Sequence, residues 1–323
     1  MQLAEVEAWF AARGLPFAWR QERPGEPAIL RPPPGTAIPT GNVRVGVIVP
    51  DVHLGWGNDV FRFNNPSRER RLERFLELLA ELRDELGTSA FNAVQLGDYF
   101  DFWRAPGFTA VQARSMILAQ YPTLIQLGVS LPLRHCIGNH DAQFVHAANR
   151  PPLLDAEIVR TIGTSAVVCF HGHDNVTLQA LNVDALFETI GLNLLNLVNS
   201  APVVGAVTSW LQRVGDGTFE ESWVHDSASL PWDAAQVQGP AGWVAPWVSR
   251  SSAVEYGAAL RGIELCLRQR VQLAFVGHSH RPGISWCPVA SRRVPLIDVG
   301  SWTYGRAEFA VVCADGVGLA RLI

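Results

Sequence analysis

Residues 43–53 read VRVGVIVPDVH. An apolar run of strand length ends abruptly in a turn that presents an aspartate and, two positions later, a histidine. The same pattern recurs in FNAVQLGDYFD (91–101), LPLRHCIGNHD (131–141), SAVVCFHGHD (165–174) and VQLAFVGHSH (271–280). Short apolar runs bounded by glycine predict strands buried on both faces. Helical periodicity lies between them. Ser67–Leu86 carries leucines at three- and four-residue spacing with charges elsewhere, and Val254–Arg268 reads as another helix. Strands alternating with helices predict a layered α/β domain.

Outward from these runs, residues 2–13 predict a short amphipathic helix. Pro24, Pro27, Pro32, Pro33, Pro34 and Pro39 then predict an extended strap, because proline cannot continue a helix. The main domain is expected to start near Asn42, dividing the chain into 1–42 and 43–323. At the far end VPLIDVGSW (294–302), AEFAVVCA (307–314) and GVGLARLI (316–323) predict consecutive strands of a meander. The stretch from about 175 to 252 breaks the alternation. No charged residue occurs between Glu188 and Arg213, and Trp223, Trp232, Trp243 and Trp247 follow among glycine, proline and serine. It predicts an inserted, largely helical cap. A transmembrane span needs about 20 mostly apolar residues, and Asn193, Asn196, Asn199 and Pro202 interrupt the run.

Composition narrows the chemistry. The 323 residues are 48% hydrophobic and 17% charged with a net charge of −4, so the chain is globular and has no general attraction for nucleic acid or anionic lipid. It contains no lysine, which excludes P-loop nucleotide chemistry and Schiff-base catalysis. No GxSxG element supports a serine nucleophile. Cys136, Cys169, Cys266, Cys287 and Cys313 lack metal-type spacing and read as buried thiols of a reducing compartment. Acids stand near the N-terminus where a secretory signal would be positive, so a cytoplasmic location is expected.

Of nine histidines, six fall in the five turns, together with Asp51, Asp98, Asp101, Asn139, Asp141 and Asp174. Polar groups at the carboxyl ends of buried strands converge on one crevice. Imidazoles, carboxylates and one amide suit a borderline divalent ion, manganese first, with iron or zinc as alternatives. At His171-Gly172-His173 either imidazole could reach a metal. His171 directly follows the strand, whereas His173 suits contact with substrate or a carboxylate. His135 lies within a strand and reads as structural.

Asp51-Val52-His53, Gly97-Asp98-Tyr99-Phe100-Asp101, Gly138-Asn139-His140-Asp141, His171-Gly172 and Gly277-His278-Ser279-His280 resemble the ordered motif set of calcineurin-like metallophosphoesterases. The resemblance spans about Val43 to Gly300 apart from the cap. It implies a two-sheet sandwich flanked by helices and two divalent metal ions at one edge. Carried over by position, Asp51, His53, Asp98 and His280 would hold one ion. Asp98, Asn139, His171 and His278 would hold the other, with Asp98 bridging. His140 would hydrogen-bond a phosphoryl oxygen or protonate the leaving group, oriented by Asp141, and Asp101 would steady a ligand from behind. His173 and Trp103 are expected to touch substrate or to support a ligand from behind.

The substrate class is narrowed by departures from relatives. Serine/threonine phosphatases of this superfamily have Arg-Gly after the second-motif aspartate and GNHE in the third, where this chain has Phe102-Trp103 and GNHD. GDYFDFW, HGH, GHSHRP and Asp298-Val299-Gly300-Ser301-Trp302 resemble the UDP-diacylglucosamine pyrophosphohydrolase branch instead. The expected substrate is therefore a phosphorylated small molecule or lipid-like compound, and the cap could touch a membrane peripherally. A nucleic-acid phosphodiesterase is the alternative enzyme. Its only basic stripe would be Arg68, Arg70, Arg71 and Arg74, interleaved with Glu69, Glu73 and Glu77 as in an ion-paired face. A non-catalytic metal-binding interaction module would have eroded ligands, and here no ligand position is missing.

Overall fold

The computed structural model describes residues 1–23, 25–55, 66–101, 110–138, 140, 156–157, 159–172, 239–245, 256–280, 282–303 and 306–323. The described elements run α1 (Leu3–Ala12), β1 (Phe17–Trp19), β2 (Gln21–Arg23), β3 (Glu26–Pro27), β4 (Ile29–Leu30), β5 (Val45–Val49), α2 (Pro66–Leu86), β6 (Phe91–Gln95), α3 (Ala110–Gln120), α4 (Pro122–Ser130) and β7 (Arg134–Cys136). Then come β8 (Ala156–Glu157), β9 (Val159–Ile162), β10 (Thr164–Phe170), α5 (Tyr256–Leu267), β11 (Leu273–Val276), β12 (Gly283–Val289), β13 (Arg292–Asp298), β14 (Glu308–Cys313) and β15 (Gly316–Leu322).

One sheet orders its strands β1-β15-β14-β5-β6-β7-β8, with β4 also on β15, and the other β12-β13-β11-β10-β9. Strands β5 to β8 are parallel, as are β10, β11 and β13. The alternation of side chains explains why the strands read as unbroken apolar runs. On β5, Val45, Val47 and Val49 face a core shared with α1 and α2, while Ile48 faces a second core with Val167, Cys169, Leu273 and Phe275 of the other sheet. Helix α5 covers the outer face of that sheet through Tyr256, Leu260 and Ile263. The result is the two-sheet α/β sandwich flanked by helices that the sequence predicts.

Two expectations need correction. The C-terminal strands do not form one meander: β13 pairs with β11 and β12 in the second sheet, whereas β14 and β15 belong to the first. The chain changes sheets after Asp298, and there Ser301 forms a bridge to Asp51. Hydrophobicity is the same on both sides of that crossing, so periodicity alone does not reveal it. Cys266 is exposed on α5, while the other four thiols are buried. The segment before Asn42 is woven into the first sheet, with β1 and β4 both antiparallel to β15. Helix α1 buries Phe10 against Phe17 and Phe309. Within the stretch expected as a cap, Val244 bridges to Arg31, and Trp243 and Ala245 enter the core between the sheets. Among the described residues no helix is long and apolar enough to cross a membrane.

Candidate metal centre

The turns after β5, β6, β7, β10 and β11 converge. Asp51 and His53 follow β5, Asp98 and Asp101 follow β6, His140 follows β7, His171 follows β10, and His278 and His280 follow β11. Their proximity depends on missing side chains. A Cβ on Gly97 would lie 2.7 Å from the backbone nitrogen of Gly138, and one on Gly277 would collide with Asp51 Oδ1. The backbone itself is strained. His53, Asp98, His278 and His280 have φ of 56°, 52°, 66° and 54°, a region that costs a non-glycine residue of order 1–3 kcal/mol. Four such residues at one site point to a geometry held for its chemistry.

The polar contacts sort the donors into groups. Asp51 Oδ2 accepts from the His278 backbone N–H at 2.9 Å and lies 3.0 Å from His280 Nε2. His280 Nε2 is 3.2 Å from His53 Nε2. Asp98 Oδ1 accepts from the His140 N–H at 2.8 Å, which leaves Oδ2 facing His171 Nε2 at 3.3 Å and His53 Nε2 at 3.7 Å. The His171 Nδ1–H donates to the Leu96 carbonyl at 3.0 Å, so Nε2, which faces Asp98, is the nitrogen that carries the lone pair. Asp51–His53–His280 and Asp98–His171–His278 each bring one donor atom per residue within 4.8 Å of the others.

These groups fit a cation. Asp51 and Asp98 are buried, and among the described residues Asp51 Oδ1 accepts no hydrogen bond. A buried carboxylate oxygen without a donor is costly unless a cation meets it. Burial pushes the Asp98 carboxyl up, but His171, His140 and His53 outweigh it and hold the group well below the usual range. For Asp51 burial likewise opposes ionisation and is outweighed by His171 and His280. Burial lowers His53, favouring the neutral imidazole that binds metal. Two carboxylates and several imidazoles converging on one point form a donor set for divalent ions.

A third group sits beside these. Asp101 Oδ1 is 3.1 Å from His140 Nδ1, and Asp101 Oδ2 is 3.5 Å from His53 Nδ1. Among the described residues Asp101 is the carboxylate beside the His140 ring, while Asp141, expected to orient it, and Asn139, His173 and Trp103 lie outside the described residues. Supporting residues to which the sequence reading gave no role at the site surround it. Asp298 accepts from Ser279 Oγ and, at 3.1 Å, from the Gly300 N–H. Trp302 N–H donates to the Asp51 carbonyl at 2.8 Å, and the buried Glu308 accepts from Ser301 N–H at 3.1 Å. A glutamate inside the apolar run AEFAVVCA was the available signal for Glu308.

Comparison with family models matches residues 47–282 to the calcineurin-like phosphoesterases. Comparison with curated proteins finds no match.

Proposed function

The chain belongs to the calcineurin-like phosphoesterase family, and from that premise we propose that it hydrolyses a phosphate ester or pyrophosphate bond using two divalent metal ions. The carrying observation is that Asp98 faces both donor sets, toward His53 on one side and His171 on the other. In this reading Asp51, His53, Asp98 and His280 hold one ion, and Asp98, Asn139, His171 and His278 hold the other. Bound there, the two cations supply Lewis acidity to a water and neutralise phosphoryl oxygens during in-line displacement. Asp101 would fix the His140 ring through Nδ1 and leave Nε2 to meet a phosphoryl or leaving-group oxygen. We expect manganese first, with iron or zinc as alternatives, as suits a mixed imidazole and carboxylate set.

For the substrate we favour a bulky organic phosphate or diphosphate, lipid-like or nucleotide-linked. The support is sequence likeness to the UDP-diacylglucosamine pyrophosphohydrolase branch and the apolar, tryptophan-bearing stretch from about 175 to 252, expected from sequence as a cap, although its Trp243 packs between the sheets. The reading includes a cytoplasmic protein whose cap touches the membrane peripherally.

The test is metal analysis of purified protein followed by turnover in Mn²⁺ of an aryl phosphodiester, an aryl monoester, a lipid-linked diphosphate and single-stranded DNA. The expected result is two bound ions, hydrolysis of the lipid-linked diphosphate, and loss of that activity in Asp98→Asn. Folded protein that takes up no divalent ion, or an Asp98→Asn variant with full turnover, rejects the reading.

A further inference from the structure

Gln95 is the last residue of β6 and pairs in register with His135 on β7. Both side chains are fully buried. Buried polar side chains need partners, and the contacts show what these two hold. Gln95 Oε1 accepts from the Gly97 N–H at 2.9 Å and from His135 Nδ1 at 3.1 Å. Gln95 Nε2 donates to the Gly97 carbonyl at 2.5 Å and to the Pro50 carbonyl at 3.3 Å. An amide offers two donor and two acceptor positions, and all four are used.

The orientation follows from chemistry. Gly97 presents an N–H, so the atom facing it must be the acceptor, Oε1; a flipped amide would set two donors against each other. Because Oε1 only accepts, His135 Nδ1 must carry the proton. Burial, with a smaller contribution from Arg160, lowers the pKa of His135 to about 3, so the ring is neutral with that single proton. His135 thereby locks the amide from the far side.

Gly97 immediately precedes Asp98, and Pro50 immediately precedes Asp51. Gly97 and Asp98 are consecutive residues with positive φ, 103° and 52°. A single side chain therefore grips the N–H and C=O of the residue that turns the chain into Asp98, and reaches across to the carbonyl before Asp51. We propose that Gln95, locked by His135, is a positioning residue that sets the spacing of Asp51 and Asp98 for the metal pair. The inference rests on the two-metal reading above. Gln95 touches neither substrate nor metal and acts through the two turns.

The test measures Mn²⁺ affinity by calorimetry on the full-length protein without substrate, beside thermal stability in chelator. Gln95→Met keeps the length and removes all four hydrogen bonds. Gln95→Asn keeps the amide but is too short to span both turns, and serves if the first variant does not fold. Val94→Ala, on the same strand and in the core, is the control for simple destabilisation. The expected result is a Mn²⁺ Kd weakened about ten- to a hundredfold in the Gln95 variants, the range seen when partners behind metal ligands are lost. Val94→Ala should lower the Tm and leave the Kd unchanged. Gln95 variants with a wild-type Kd overturn the inference while leaving the two-metal reading intact. Folded wild-type protein that binds no Mn²⁺ overturns both.

Discussion

His53 and His280, 227 residues apart in sequence, meet with their Nε2 atoms 3.2 Å apart, and Asp51 Oδ2 lies 3.0 Å from the second. Two imidazole lone pairs and a carboxylate aimed at one point need a proton or a cation between them. A divalent ion satisfies all three, and its binding energy adds to folding energy. At 100 times its Kd an ion that binds only the folded state contributes about 2.7 kcal/mol. Thermal unfolding should rise by a few degrees when Mn²⁺ is added to chelated protein. In His280→Ala the rise should shrink by at least half. Equal shifts in the two proteins would remove His280 from the metal site.

Asp101 spans His140 and His53, at 3.1 and 3.5 Å. If it keeps His140 ready to donate a proton, its loss matters most where the leaving group needs one. General acids contribute about 10²–10⁴-fold. Asp101→Asn should therefore slow an alkyl phosphodiester by about a hundredfold, and an aryl diester with an acidic leaving group far less. The measurement is kcat on the two substrates at one pH. A uniform loss on both would place the effect on metal binding through His53 instead.

His135 gives a stability prediction with a definite sign. Burial lowers its pKa to about 3 in the folded protein, whereas the unfolded value is near 6.5. Between those values the unfolded chain binds the extra proton. The stabilisation from a neutral His135 is therefore complete above about pH 6.5 and is lost as the pH falls toward 3. From pH 7.5 to 5.0 this one residue should remove about 2 kcal/mol. Urea unfolding of wild type and His135→Gln at pH 7.5 and 5.0 measures it. The variant should lose less stability than wild type over that interval, and parallel losses would count against the assignment.

The sequence made the site legible because its donors directly follow the apolar runs. Asp51, Asp98, His171 and His278 each stand within three residues of a strand end, where a reader of strands looks for them. Periodicity also announces α2, since Leu72, Leu76 and Leu79 fall on one buried face. What stayed hidden depends on contacts across sequence. Gln95 lies inside an apolar run and carries no motif, and only the return of Gly97 and Pro50 to its amide gives it a role. The crossing of the chain between sheets after Asp298 was equally invisible, because strands of both sheets are apolar on both faces. The pairing of Asp101 with His140 needed the convergence of β6 and β7 turns, which spacing does not encode.

The N-terminal segment reaches the site through one buried carboxylate. Glu308, only 1% exposed, pairs with Arg20 Nη1 and Arg321 Nη2, both at 2.8 Å, and accepts from Ser301 N–H at 3.1 Å. Ser301 in turn bridges to Asp51. Removing Arg20 leaves a buried anion short of one charged donor, which costs about 1–3 kcal/mol. Arg31 is the contrasting case in the same segment, since its ion pair with Asp315 is exposed and worth at most about 1 kcal/mol. Arg20→Ala should therefore lower the unfolding midpoint in urea clearly more than Arg31→Ala. Because Glu308 also holds the strand beside Asp51, Arg20→Ala should weaken Mn²⁺ binding as well, whereas Arg31→Ala should not. If the two variants behave alike in both measurements, the link from the N-terminal segment to Asp51 does not exist, and the segment contributes only its packing against β15.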